Sequence, residues 1–202
     1  MKNTTEVKET ENRHPIREHL GLSYGRWVAV NEIVSQTTET ANNWSEVLVG
    51  LSRREDLTGA EYVLAGAIFA EIMLKRMQNA MQLITVPEGV GVSGNHEKLL
   101  PSTPVFHYKI LTFPTNHVPE MTGISFKQLT HIRISLRSIP HDLHLAEILA
   151  RVHSSLHGED PLGLVCAGYI SAAETLLHSS TTSRYTTWVG HDPEWKPLAE
   201  VS

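Results

Sequence analysis

Apolar and polar positions along the chain show two textures. From Pro15 to Ala80 apolar residues recur at helical spacing, whereas from Met81 to Ile139 they thin out and tend to alternate. Pro15 to Leu20 reads as a short helix stopped at Gly21, and Tyr24 to about Val34 as a second. Asn43 with Glu46 has the spacing of an N-cap, and Trp44, Val47, Leu48 and Leu51 form the stripe behind it. Thr58 with Glu61 is a capping-box pair, predicting a helix from Gly59 to about Ala80. Leu64 and Ile68 intrude on what would be its polar face, so other elements should surround it.

The middle of the chain predicts strands. Leu83 to Val86 is a short apolar run, followed by a Gly/Pro/Ser-rich loop from Pro87 to Pro104. Val105 to Phe113 sets Phe106, Tyr108 and Ile110 against His107, Lys109 and Leu111. Thr130 to Leu136 sets Ile132, Ile134 and Leu136 against His131, Arg133, Ser135 and Arg137, the period-two pattern of a strand with one wet face.

Two further helices follow. His141 to His157 carries Leu145, Ile148, Leu149, Val152 and Leu156 on one stripe and stops at Gly158. Asp160 and Pro161 open the second, with the stripe Leu162, Val165, Tyr169, Ala173 and Leu176. Their short connection predicts an αα-hairpin. In the tail, Tyr185, Thr187 and Val189 alternate as an edge strand would.

Helices, then strands, then helices is an α+β order. The expected fold has a helical N-terminal half, a small antiparallel β-sheet and a C-terminal αα-hairpin packed on the sheet. A flexible N-terminus over 1–12 precedes one domain over 13–202. That domain divides into a helical part (13–80), sheet and loops (81–139), the hairpin (140–179) and a tail (180–202).

Composition narrows the function classes. A chain of 202 residues, 41% hydrophobic, can bury a core. A single cysteine, Cys166, excludes a disulfide framework and a thiolate zinc cluster within one chain, and its place on an apolar stripe predicts an inert buried thiol. The polar first fifteen residues hold no signal-type apolar run, and Tyr62 to Leu74 is too short to span a membrane. An intracellular, cytoplasmic location is the expectation.

The motifs that suggest chemistry are incomplete. Gly89 to Gly94 spells GxGxxG, but Pro101 and Pro104 leave little room for the helix that a dinucleotide fingerprint needs. Gly94-Asn95-His96-Glu97 resembles one element of the calcineurin-like metallophosphoesterases. That family's GDxxD is missing, and the DxH at Asp142-Leu143-His144 comes after the element instead of before it. His153 and His157 have the i, i+4 spacing of two metal ligands, with Glu174 or His178 on the partner helix as candidate third ligands. No carboxylate stands between them, so no metal and no cofactor is expected. Glu71 lies in very apolar company, and Lys75 four residues on explains it as an intrahelical ion pair.

Charge is segregated. The net charge of −5 divides into −3 over residues 1–104, +3 over 105–139 and −5 over 140–202. On paired strands, His107, Lys109, His131, Arg133 and Arg137 would share one wet cationic face. The leading expectation is a non-enzymatic binding or assembly protein. It would form a homo-oligomer or bind a protein partner through that β-face and the acidic helical hairpin. Two alternatives stand beside it. One is a small intracellular enzyme using His153, His157 and Glu71; the other is a protein that binds RNA or anionic lipid on the cationic face.

Overall fold

The computed structural model describes residues 15–84, 118–140 and 143–182. Eight helices are present there: α1 (Pro15–Leu20), α2 (Tyr24–Thr40), α3 (Trp44–Ser52), α4 (Gly59–Ile84), α5 (Val118–Thr122), α6 (Phe126–Arg137), α7 (Leu145–Ser155) and α8 (Pro161–Thr182). Side chains from all eight meet in one apolar core.

Helix starts are capped at Asn43, Thr58 and Asp160, where the sequence indicates, and also at Ser23. Ser23 accepts from the Arg26 amide at 3.3 Å, and Asn43 from the Glu46 amide at 3.0 Å. The Glu61 carboxylate accepts from the Thr58 amide at 2.9 Å and from its hydroxyl at 3.1 Å. Asp160 accepts from the Gly163 amide at 2.7 Å. The bonds from backbone amides satisfy donors that the start of a helix leaves without an internal partner. At the other end of the hairpin's first helix, Gly158 adopts φ +85°, a conformation that glycine enters without a steric penalty.

α2 runs past its expected end at Val34 to Thr40. The threonines there donate back to carbonyls one turn earlier, Thr37 to Ile33 at 2.8 Å and Thr38 to Val34 at 2.7 Å. These bonds satisfy the hydroxyls within the helix, so the threonines need no non-helical backbone partner.

α4 and α8 form the centre. They cross so closely that a Cβ on Gly66 would collide with the Val165 carbonyl, and one on Gly168 with the Val63 carbonyl. Ala70, one turn after Gly66 on α4, and Ala172, one turn after Gly168 on α8, are also buried. Small side chains permit this approach, and the backbones gain the dispersion contacts that larger residues would hold apart. Tyr169 then fills the gap toward α3. It stacks on Trp44 at 6.0 Å and on Phe69 of α4 at 5.6 Å between ring centroids. α2 and α3 pack against α4, and α1 packs on α7.

The α+β expectation is overturned, because no strand occurs among the described residues. Thr130 to Leu136, expected as a strand, lies within helix α6. Its buried residues are Leu129, Ile132, Ser135 and Leu136, a helical spacing, while Ile134 is 61% exposed. Ile132 and Leu136 satisfy both periods, so the alternation depended on Ile134 alone. A capping box decides the matter locally: Ser125 accepts from the Gln128 amide at 3.2 Å, and the Gln128 side chain accepts from the Ser125 amide at 2.9 Å. Leu83 and Ile84, the start of another expected strand, continue α4. The expected strands over 105–113 and 185–189 lie outside the described residues. The αα-hairpin is present as α7 and α8, but it packs on helices and not on a sheet.

Candidate functional site

Of the five residues expected to share a cationic sheet face, the three described ones stand on a helix. His107 and Lys109 lie outside the described residues. His131, Arg133 and Arg137 stand on helix α6, so the paired-strand surface on which the expectation rested is not there. At about 100° per residue, His131 points away from Arg137. His131 instead meets Glu159 at 3.3 Å, and Glu159 also accepts from the Gln128 amide group at 3.0 Å. It thereby joins α6 to the turn before α8.

What the helix does present outward was missed. Phe126 is 68% and Ile134 is 61% exposed, and Met121 of α5 is 42% exposed. Phe126, Thr130, Ile134, Lys127 and Arg137 fall within roughly 100° of arc on one side of α6. Lys127 and Arg137 are exposed, and neither makes an ion pair among the described residues. Arg133 borders the same face and is half-buried. α6 itself contains no carboxylate. The signal was available: read at a helical period, Phe126 and Ile134 oppose the Leu129, Ile132 and Leu136 stripe.

The acidic hairpin, by contrast, is occupied internally. Glu147 pairs with Arg151 at 2.6 Å, Glu159 holds His131 and Gln128, and Asp160 caps α8.

His153 and His157 lie edge to face with ring centroids 6.4 Å apart. Burial, with help from the neighbouring His157, lowers the His153 pKa. His153 also abuts the start of α4, where a Cβ on Gly59 would stand 3.2 Å from its Nε2. No group of three or more metal-ligating side chains occurs among the described residues. Glu174, one candidate third ligand, is half-buried on α8, and the His178 side chain lies outside the described residues. Glu71 is 1% exposed in the middle of α4. An open groove between α1 and α7 is lined by His19, Glu147, Ala150, Arg151, Ser154 and Ser155, and it contains none of Glu71, His153 and His157.

Two further groups carry charge or a nucleophile. Arg26 of α2 grips Glu61 with two bonds, Nε to Oε1 at 2.6 Å and a terminal nitrogen to Oε2 at 2.7 Å. The same guanidinium donates to the Asp56 carbonyl at 2.9 Å. Burial pushes the Glu61 pKa upward most strongly of any single influence. The bonds from Arg26 and Thr58 together outweigh it and leave the carboxyl below its ordinary value. Cys166 is fully buried, and burial pushes its thiol up to about 12, which leaves it unreactive near neutral pH.

In comparisons with known proteins, no family model, no curated protein and no solved structure matches the chain. No helix among the described residues is long and apolar enough to cross a membrane.

Proposed function

We propose that this is a non-enzymatic binding protein whose working surface is the outward face of α6 and whose partner carries negative charge. One observation supports the reading above the others. Phe126 and Ile134 stand exposed, at 68% and 61%, on a helix whose opposite face is fully packed, and Lys127 and Arg137 flank them. Contiguous exposed apolar surface rimmed by polar residues is the kind of surface that marks interaction sites, and Phe126, Thr130 and Ile134 follow one another at helical spacing on this face.

Charge then separates the kinds of partner. Two copies pairing through α6 would bring Lys127 and Arg137 of each toward like charges, which opposes self-association there. An anionic partner gains from the same residues. The enzyme alternative has less support, since the histidine pair lacks a third ligand among the described residues and Glu71 does not share the α1–α7 groove.

The experiment uses the inert Cys166. A Thr130→Cys variant can be labelled selectively with an environment-sensitive dye, because the native thiol is buried. The labelled chain is titrated with polyglutamate, single-stranded RNA and phosphatidylserine-containing vesicles. At least one probe should change the dye signal, and a Lys127→Glu/Arg137→Glu variant that keeps its helical circular dichroism should lose the response. If none of the three probes binds, the reading fails.

A further inference from the structure

Building on that reading of α6, we infer that its anionic partner is the surface of a lipid bilayer, with α6 lying in the headgroup layer. The shape of the surface separates this from a protein or nucleic-acid partner. The face is the convex side of a single helix, with Phe126 and Ile134 eight residues apart, about 12 Å along the axis. A helical peptide needs a groove to lie in, and Phe126 and Ile134, at 68% and 61% exposed, do not line the groove between α1 and α7. Single-stranded nucleic acid needs several stacking rings, and Phe126 is the one aromatic on α6.

A bilayer takes a ridge. Phe126 and Ile134 would enter the boundary between headgroups and acyl chains. Lys127 and Arg137 would extend from flexible stems to the phosphates. The inner face of α6 stays in the protein core through Leu129, Ile132 and Leu136, so the helix need not fold on binding and loses little entropy. With only a few anchoring side chains, the attachment would be reversible and sensitive to salt.

The test is co-sedimentation of the full chain with vesicles of phosphatidylserine and phosphatidylcholine in a one-to-two ratio. Vesicles of phosphatidylcholine alone serve as control, and the label at position 130 is followed in parallel. The chain should sediment with the mixed vesicles and not with the neutral ones, and the dye emission should shift to the blue. Lys127→Ala/Arg137→Ala should weaken binding roughly thirty-fold, since each basic residue near an anionic surface contributes about a factor of five. Phe126→Ser/Ile134→Ser, at positions already exposed, should retain the fold and lose the blue shift. Binding of polyglutamate or RNA with no vesicle binding would overturn the inference and leave the binding reading intact. Equal vesicle binding by Phe126→Ser/Ile134→Ser would overturn it too. So would a dimer, seen by light scattering, that this variant abolishes.

Discussion

α4 and α6 both carry apolar residues on more than one side, yet they occupy opposite situations in the molecule. α4 has neighbours on nearly every side: α8 across the Gly66–Gly168 crossing, α2 and α3 on one flank, and α7 near its start. α6 commits Leu129, Ile132 and Leu136 to the core and leaves Phe126 and Ile134 in solvent. The same residue types therefore do different work. Isoleucine at 68 is 2% exposed and holds the fold together, whereas isoleucine at 134 is 61% exposed and contributes little to folding. Burial, and not hydrophobicity alone, separates a core residue from a contact residue.

The largest effect should come from the crossing itself. A side chain at Gly66 or Gly168 meets the facing carbonyl directly, and backbone cannot move aside as a flexible side chain can. Gly66→Val or Gly168→Val should destabilise by about 3 kcal/mol or more, beyond the usual cost of overpacking, or prevent folding. Chemical denaturation, or the soluble yield where no folded protein is recovered, measures this. Native-like stability in both variants would mean that the helices cross elsewhere.

Next come the paired isoleucines. Leu64→Ala and Ile68→Ala should each cost roughly 2–5 kcal/mol, the range for deleting a buried aliphatic side chain. Ile134→Ala should stay within about 0.5 kcal/mol, as exposed substitutions do. Parallel denaturant curves for Ile68→Ala and Ile134→Ala test the contrast directly. Similar losses in both would show that α6's outer face is covered by other parts of the chain.

A smaller effect belongs to the first turn of α4, where Arg26 ties α2 to Glu61. Glu61 is nearly buried, but the Arg26 side chain is 44% exposed, so solvent weakens the pair. Arg26→Ala should therefore cost about 1–2 kcal/mol, near the lower end of the range for hydrogen bonds to a charged group. Because the folded Glu61 pKa lies below its ordinary value of 4.5, the stabilisation is present above that pH and lost as pH falls through the folded value. The stability of Glu61→Gln should therefore fall less steeply than wild type in that acid range. An unchanged acid profile would show that the carboxylate contributes nothing there.

How much was legible in the sequence follows the same division. Elements with a cap and a full stripe, such as Asn43 before Trp44 or Thr58 before Gly59, could be read because local bonds and core contacts agree there. α6 was misread because Ile132 and Leu136 fit both periods and the exposed Ile134 imitated a strand's third core residue. The Ser125–Gln128 capping box was also in the sequence, and it would have weighed for a helix. The exposed face of α6 was hidden by the same error, since a strand reading turns Ile134 inward. The central crossing was illegible for another reason: glycines within a helix weaken it locally, and only the partner helix shows why they are there.

The smallest expected effect lies where α7 meets the start of α4. His153 is held with a lowered pKa, first by burial and then by His157, so the folded chain binds a proton there less readily than the unfolded chain does. Stability from this site is complete above the ordinary value of 6.5 and falls as pH drops below it, levelling off once the folded imidazole also protonates. The sign is the same as for Glu61, but the window is higher and separate. A proton on His153 would also sit beside the amide-rich first turn of α4, the positive end of that helix dipole, next to the Gly59 Cα. Thermal melts of wild type at about pH 7 and about pH 5.5 should differ by a few degrees, and His153→Gln should remove part of that difference. The α6 face should not share this dependence, since Phe126→Ser/Ile134→Ser alters neither imidazole. If that variant flattens the profile as much as His153→Gln does, the acid-sensitive junction is not the one between α4 and α7.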